Sequence, residues 1–248
     1  MKCYKAKWIL TSNDEVLENK AIVVDEGKII DIIPFDETKK FEEKIVKDLG
    51  NCVVTPGFID LFTQYQYTDI ANYKPTGLKE KFKKFFKVLE KDFIFAGVKS
   101  DIYSMKWANI LCRYFVMNRA EKISAFKKGL ESAVKAGTTC VAQVSKENEY
   151  FEIINKAPIK NYMFFEIFAD SRMKSKIKFK DIRATIEDYV FHKSENTHIG
   201  VMLNSISGVH RKLWELFSKY CRKHNMLLMT RLAESKDEME WLEHKFSD

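Results

Sequence analysis

The hydrophobic pattern of the chain changes period near residue 50. Before that point apolar residues come in short β-favouring runs, at 7–11, 21–25 and the isoleucine-rich 28–34. Ser12-Asn13-Asp14-Glu15 is a turn cluster between the first two runs, and Glu26-Gly27 is a two-residue turn between the last two. This pattern predicts a small antiparallel sheet. Residues 45–49 and Gly50-Asn51 then lead into a strand that opens at Val53.

Beyond that strand, helical periods alternate with apolar runs. Residues 78–95 place apolar side chains at 78, 82, 85, 86, 89 and 93, with lysines on the opposite face. Residues 121–136 repeat the period through Ile123, Phe126, Leu130, Ala133 and Val134, and Gly137 follows as a C-terminal cap. Further helices are predicted at 150–155, 179–192, 209–224 and 235–246, the last with Ser235 as N-cap and Glu238 completing a capping box. The intervening strands are 53–61, 138–145, 162–169, 199–203 and 226–233. Such alternation implies parallel strands joined by right-handed crossovers. A closed (β/α) barrel needs eight strands, and the pattern supplies about five. The expected fold is therefore α/β: a partial TIM-type barrel over 53–248, preceded by a small N-terminal β-sheet, a β-sandwich-like piece over 1–52.

Composition narrows this picture only a little. Of 248 residues 46% are hydrophobic, and only nine are Gly and four Pro, which excludes disorder and favours long regular elements. The formal charge of +7 is spread among 35 acidic residues, which suits a solvated surface better than a nucleic-acid groove. The one denser basic run, 79–91, carries Phe82, Phe85 and Phe86 and is read as a barrel-covering helix with a lysine outer face, not as a membrane or partner helix. Cysteines 3, 52, 112, 140 and 221 show no metal-finger or thioredoxin spacing, so reduced thiols are expected, with Cys52 and Cys140 as small core residues. The first residues lack the apolar core of a secretory signal, and no run is long enough to cross a bilayer. A cytoplasmic location is expected.

The most specific stretch is 53–64, Val-Val-Thr-Pro-Gly-Phe-Ile-Asp-Leu-Phe-Thr-Gln. It resembles the opening of the catalytic barrel in the amidohydrolase superfamily, where an apolar strand and Pro-Gly-Phe-Ile-Asp precede His-x-His. Pro56, Gly57, Phe58, Ile59 and Asp60 fit that lead-in, while Phe62 and Gln64 stand where the two histidines belong. Trp8-Ile9-Leu10-Thr11 and 21–30 resemble the sheet that precedes the barrel, and Lys135-Ala136-Gly137-Thr138-Thr139 resembles the approach to its next core strand. The run from Leu232 through Ala233, Glu234 and Ser235 to Glu240 is similar to the His-Leu-Ala-Glu-Ser/Thr segment of the deaminase branch, which includes the aminofutalosine and methylthioadenosine/adenosylhomocysteine deaminases.

The resemblance implies one divalent metal, zinc or iron, that activates a water for attack on a purine carbon. Its ligands would be two histidines of the first strand, one of the fifth, one of the sixth and an Asp of the eighth, with a Glu after the fifth-strand His moving protons. On this chain those positions correspond to Phe62, Gln64 and Arg231, and the sixth- and eighth-strand ligands would lie beyond Asp248. Arg231 is a permanent cation and would repel a divalent ion. Asn204-Ser205-Ile206-Ser207 corresponds to a fourth-strand substrate segment. Glu234 alone remains as a candidate catalytic residue, against the competing reading that the helix dipole favours a Glu at that place whatever the function. Asp60 is read as a remnant of the lead-in.

The histidines at 192, 198, 210, 224 and 244 offer no replacement metal site; His210 and His224 stand at opposite ends of one helix, about 20 Å apart. No phosphate loop, nucleophile elbow or dinucleotide fingerprint occurs, and Ser205 and Ser207 near His210 lack a recognisable orienting acid. Three readings follow. The first is a truncated, deaminase-like member of the C–N hydrolases without metal or other cofactor, and inactive. The second is a non-catalytic interaction protein that self-associates or is completed by another chain, because an open sheet exposes its edges. The third is an active metal-dependent deaminase of a purine-nucleoside-like small molecule. No nucleic-acid or membrane partner is expected.

Overall fold

The computed structural model describes residues 1–70, 72, 110–111, 113–146, 148–206, 208–234 and 236–246. They fall into two compact units, Met1–Phe58 and Ile59–Asp248. The helix expected at 78–95 and the basic run 79–91 lie outside the described residues.

In the first unit, β1 (Lys2–Leu10), β2 (Val16–Asp25) and β3 (Lys28–Pro34) form an antiparallel meander. β4 (Val46–Asp48) and β5 (Val53–Val54) both pair parallel to β1. Glu26 and Gly27 have φ of 47° and 77°, the left-handed pair that a two-residue hairpin turn needs, and glycine supplies the second without strain. Alternation along β2 feeds two cores. Ala21 and Val23 pack with Cys3 and Ile33 on one face, and Ile22 packs with Ala6 and Ile9 on the other.

The strand expected at 53–61 is two strands. Val53–Val54 belongs to the first sheet, and β6 (Phe58–Thr63) belongs to the second. Between them stand Thr55, Pro56 and Gly57. Proline has no N–H for a ladder, so continuous pairing stops there.

The second unit is built on a curled parallel sheet, a partial TIM-type barrel, with strand order β10-β9-β8-β7-β6 among the described residues. β7 is Thr138–Ser145, β8 Lys160–Ile167, β9 Thr197–Ser205 and β10 Leu227–Arg231. β7–β8, β8–β9 and β9–β10 are parallel, with Val144 opposite Phe164, Phe165 opposite Val201 and Met229 opposite Met202. The helices are α1 (Arg119–Lys135), α2 (Phe151–Asn155), α3 (Arg172–His192), α4 (Arg211–Lys223) and α5 (Lys236–Phe246). α3 begins seven residues earlier than the apolar period suggests. Ser171 caps it, accepting from Lys174 N–H, and a run of lysines fills the added turns.

Period two divides the second sheet cleanly. Val141, Met163, Phe165, Ile167, Ile199, Val201 and Leu203 face the helices and join Phe126, Leu130, Ile186, Leu213 and Phe217 in the large core. Ala142, Val144, Phe164 and Met202 form a smaller cluster on the opposite, inner face. The thiol of Cys221 is buried with the large core, which pushes its pKa up to about 11, whereas Cys52 and Cys140 are only half-buried. The end of β6 is anchored by amides. Gln143 Oε1 accepts from Thr63 Oγ1 at 3.0 Å and from Tyr65 N–H at 3.2 Å, its Nε2 donates to Gln66 Oε1 at 2.8 Å, and Gln66 Nε2 donates to Val144 O at 2.9 Å.

α1 lies close on the 3-10 turn Tyr65–Tyr67 that follows β6, and Gly129 makes the approach possible. A Cβ at 129 would meet Thr68 Oγ1 and stand 3.0 Å from Tyr65 Cβ. Gly129→Ala should therefore destabilise the fold by about 1–2 kcal/mol in urea denaturation, since overpacking at about 1–3 kcal/mol outweighs a helix-propensity gain of about 1. Equal or greater stability of the variant would show that the turn gives way freely.

Candidate functional site

Parallel (β/α) sheets gather chemistry at the C-terminal ends of their strands, where inward side chains converge. Continuing the inner-face alternation to those ends brings Lys146 after β7, Glu166 on β8, Asn204 on β9 and Arg231 on β10 to one rim. A register shift between Thr230 and Arg231 sets Arg231 opposite Ser205.

Glu166 is the hub. Its side chain is only 4% exposed, and its Oε1 accepts from Arg231 Nη2 at 2.7 Å and from Asn204 Nδ2 at 2.6 Å. Its Oε2 lies 3.7 Å from Lys146 Nζ. Arg231 Nε also donates to the Asn204 carbonyl at 3.1 Å, and Nη1 reaches Glu234 Oε1 at 3.5 Å. One carboxylate and one guanidinium thus tie the ends of β8, β9 and β10 together. Burying a charge this deeply is costly unless it is paired and hydrogen-bonded, and here the pairing is charge-assisted.

The positions that the resemblance assigned to metal ligands are placed as follows. Phe62 ends the inner side of β6 and is 41% exposed, Gln64 is half-buried just beyond it, and Arg231 is engaged with Glu166. Asp60 is exposed and accepts from Phe62 N–H at 3.3 Å. No hydrogen bond joins Phe62 or Gln64 to the Arg231 cluster among the described residues. A phenyl ring, an amide and a guanidinium do not form a donor set for zinc or iron. Among the described residues no group of three or more His, Cys, Asp and Glu side chains converges on a common point.

Glu234 follows Ala233, which holds a left-handed φ of 57°. Its carboxylate is directed to Arg231, and its N–H donates to Glu238 Oε2 at 3.0 Å. Glu238 therefore reaches back to the start of α5 as a capping glutamate does, while Ser235 lies outside the described residues. His210 caps α4, its Nδ1 accepting from Lys212 N–H at 3.0 Å, and His224 ends the same helix beside Tyr220. His192 sits by Asp188, and His198 stacks on Tyr162 with centroids 4.6 Å apart. Ser205 Oγ accepts from Gly208 N–H, while Ser207 lies outside the described residues.

Residue-type reasoning from the sequence missed Glu166 and Lys146. A signal for Glu166 exists: it is the one charged residue inside the apolar run Tyr162-Met163-Phe164-Phe165-Glu166-Ile167-Phe168. An acid there must be paired.

The partial barrel carries a sequence match as well: residues 53–248 match the Amidohydrolase family. The chain belongs to that family. Over 64 residues, 24% of this chain and 15% of the relative, it is 41% identical to a 5-methylthioadenosine/S-adenosylhomocysteine deaminase of Thermodesulfovibrio yellowstonii. Among solved structures it is similar to Helicobacter pylori aminofutalosine deaminase in complex with methylthio-coformycin, with a TM-score of 0.77 and 18% identity over 98% of this chain and 53% of that one. It is also similar to guanine deaminase of C. acetobutylicum with bound guanine, with a TM-score of 0.66 and 19% identity over 99% of this chain and 56% of that one. The chain spans about half the length of these solved relatives.

The rim makes a stability prediction. Arg231→Met removes the guanidinium bound to the buried Glu166 and leaves it only the more distant Lys146, which should cost about 3 kcal/mol in chemical denaturation. Combining it with Glu166→Gln should cost clearly less than the two single losses added together. Simple additivity would mean that the pair is not coupled.

Proposed function

We propose that this chain is a deaminase-like amidohydrolase family member that binds no catalytic metal and performs no hydrolysis. One observation carries this reading: at the fifth-strand position the Arg231 guanidinium is bound to a buried Glu166 carboxylate. A divalent ion at that place would have to displace a cation from a carboxylate that is already satisfied. Without a metal to lower the pKa of a bound water, Glu234 has no hydroxide to serve. Its contact with Arg231 supports a structural role at the start of α5.

Purified chain should take up no stoichiometric zinc or iron on metal analysis after incubation with either ion. It should release no ammonia from adenosine-type or guanine substrates, with or without added metal. Stoichiometric metal together with chelator-sensitive ammonia release would instead establish an active deaminase.

A second reading, a non-catalytic interaction protein, is supported by β6. β6 and β10 stand at the two ends of the sheet order among the described residues; Ile59, Leu61 and Phe62 of β6 are 65%, 74% and 41% exposed, and Leu227 of β10 is 55% exposed. Unpaired strand edges that carry apolar residues favour association with another chain. On this reading the protein self-associates or is completed by a second polypeptide that supplies further β/α units. Light scattering after gel filtration should show a dimer or a larger defined species. A stable monomer at high concentration would remove self-association.

A further inference from the structure

Helix α3 carries two apolar lines. Ser175, Phe179, Ile182, Ile186 and Tyr189 recur every three or four residues and face the core, where Phe179 meets Phe217 edge-on with centroids 5.0 Å apart. Met173, Ile177, Ala184 and Phe191, spaced by four, seven and seven, fall on the opposite, outward side of the cylinder. Three of them are large and open to solvent: Met173 is 70% exposed, Ile177 53% and Phe191 84%.

Around Met173 and Ile177 the flanks of that outward line are strongly basic, while Asp181, Glu187 and Asp188 border it farther along the helix. The first nine residues of α3, Arg172 to Lys180, hold five cations and no acid. They stand at the helix end where the backbone dipole disfavours positive charge. Lys174 pairs with Asp170 at 2.9 Å, whereas Arg172, Lys176, Lys178 and Lys180 are exposed and have no ion pair among the described residues. The fold gains nothing from this arrangement in isolation. It places cations where the helix resists them and apolar groups where water surrounds them.

We propose that the outward face of α3 docks on an anionic phospholipid surface, with Met173, Ile177 and Phe191 entering the interface and the lysines reaching the headgroups. Lysine suits this task because its stem covers apolar surface while its ammonium reaches outward. Exposed Met173 and Ile177 with cations on both sides offer an anionic interface apolar contact and charge attraction together. A nucleic-acid groove accounts for the charge but leaves Met173 and Ile177 unexplained. An acidic protein would need a shape matched to a narrow convex line, whereas a fluid headgroup layer needs no such match. No helix among the described residues is long and apolar enough to cross a membrane, so the contact is peripheral. This departs from the expectation of no membrane partner, which rested on the run 79–91, and it does not depend on the state of the rim.

The test is sedimentation of the whole chain with vesicles of phosphatidylcholine alone and of phosphatidylcholine mixed with phosphatidylglycerol. Wild type should sediment with the mixed vesicles only, and raised salt should release it. Lys176→Glu combined with Lys180→Glu should weaken binding by at least about tenfold. Met173→Gln with Ile177→Gln should weaken it while leaving the salt dependence in place. All four side chains are exposed, so circular dichroism should match wild type. No binding to the mixed vesicles, or equal binding by the charge-reversed variant, overturns the proposal. Retention on single-stranded DNA without vesicle binding also overturns it and assigns the face to a nucleic acid.

Discussion

The Glu166–Arg231 pair sets the terms for the rest of the second unit. A carboxylate with 4% of its side chain exposed demands partners, and it finds them on the next two strands, Asn204 of β9 and Arg231 of β10. Arg231 in turn holds the Asn204 carbonyl, so the ends of three parallel strands are joined by charged and polar contacts at the strand ends where (β/α) barrels gather their active-site residues. The network needs all of its members. Guanidinium is planar and always charged, so it satisfies Glu166 at any physiological pH, which a histidine would not.

A neutral network does comparable work at the other edge. Gln143 donates to Gln66 and accepts from Tyr65 N–H, and Gln66 donates to the Val144 carbonyl, which fixes the turn at Tyr65–Tyr67. They lie on the side of the sheet that faces the helices, not on the rim. Phe62 and Gln64 are thus carried by a well-anchored backbone even though they present no metal-binding atoms of the usual kind.

Much of the fold was legible because period alone decides it. β7 runs over the residues its alternation predicts, and the Glu26-Gly27 turn takes the left-handed conformation that its glycine suggests. Two features escaped for physical reasons. Val53–Val54 and Phe58–Thr63 read as one apolar strand, because hydrophobicity does not report that Pro56 breaks the ladder and sends the two halves to different sheets. The first two turns of α3 lack the single apolar stripe that marks a helix, since their outward face is apolar as well. At the rim, Phe62, Gln64 and Arg231 could be placed through the resemblance, but what Arg231 binds depends on Glu166, 65 residues away in sequence. Pairings of that kind are set by strand register, which no local pattern carries.

Membership in the amidohydrolase family rests on the fold and the sequence match, whereas the chemistry open to the rim rests on single positions. A (β/α) scaffold tolerates rim substitutions because packing energy resides in the face that meets the helices, where Phe165, Val201, Leu203 and Phe217 lie. Rim residues are free to change so long as buried charge stays balanced. Arg231, Glu166 and Asn204 complement one another at this rim, so a change at one of them alters the partners of the other two. A histidine at 231 would deprive Glu166 of its 2.7 Å guanidinium contact and leave it Lys146 at 3.7 Å, and Phe62 and Gln64 would still contribute no metal-binding donor set. The ends of β8, β9 and β10 are therefore held by the electrostatics of the rim itself.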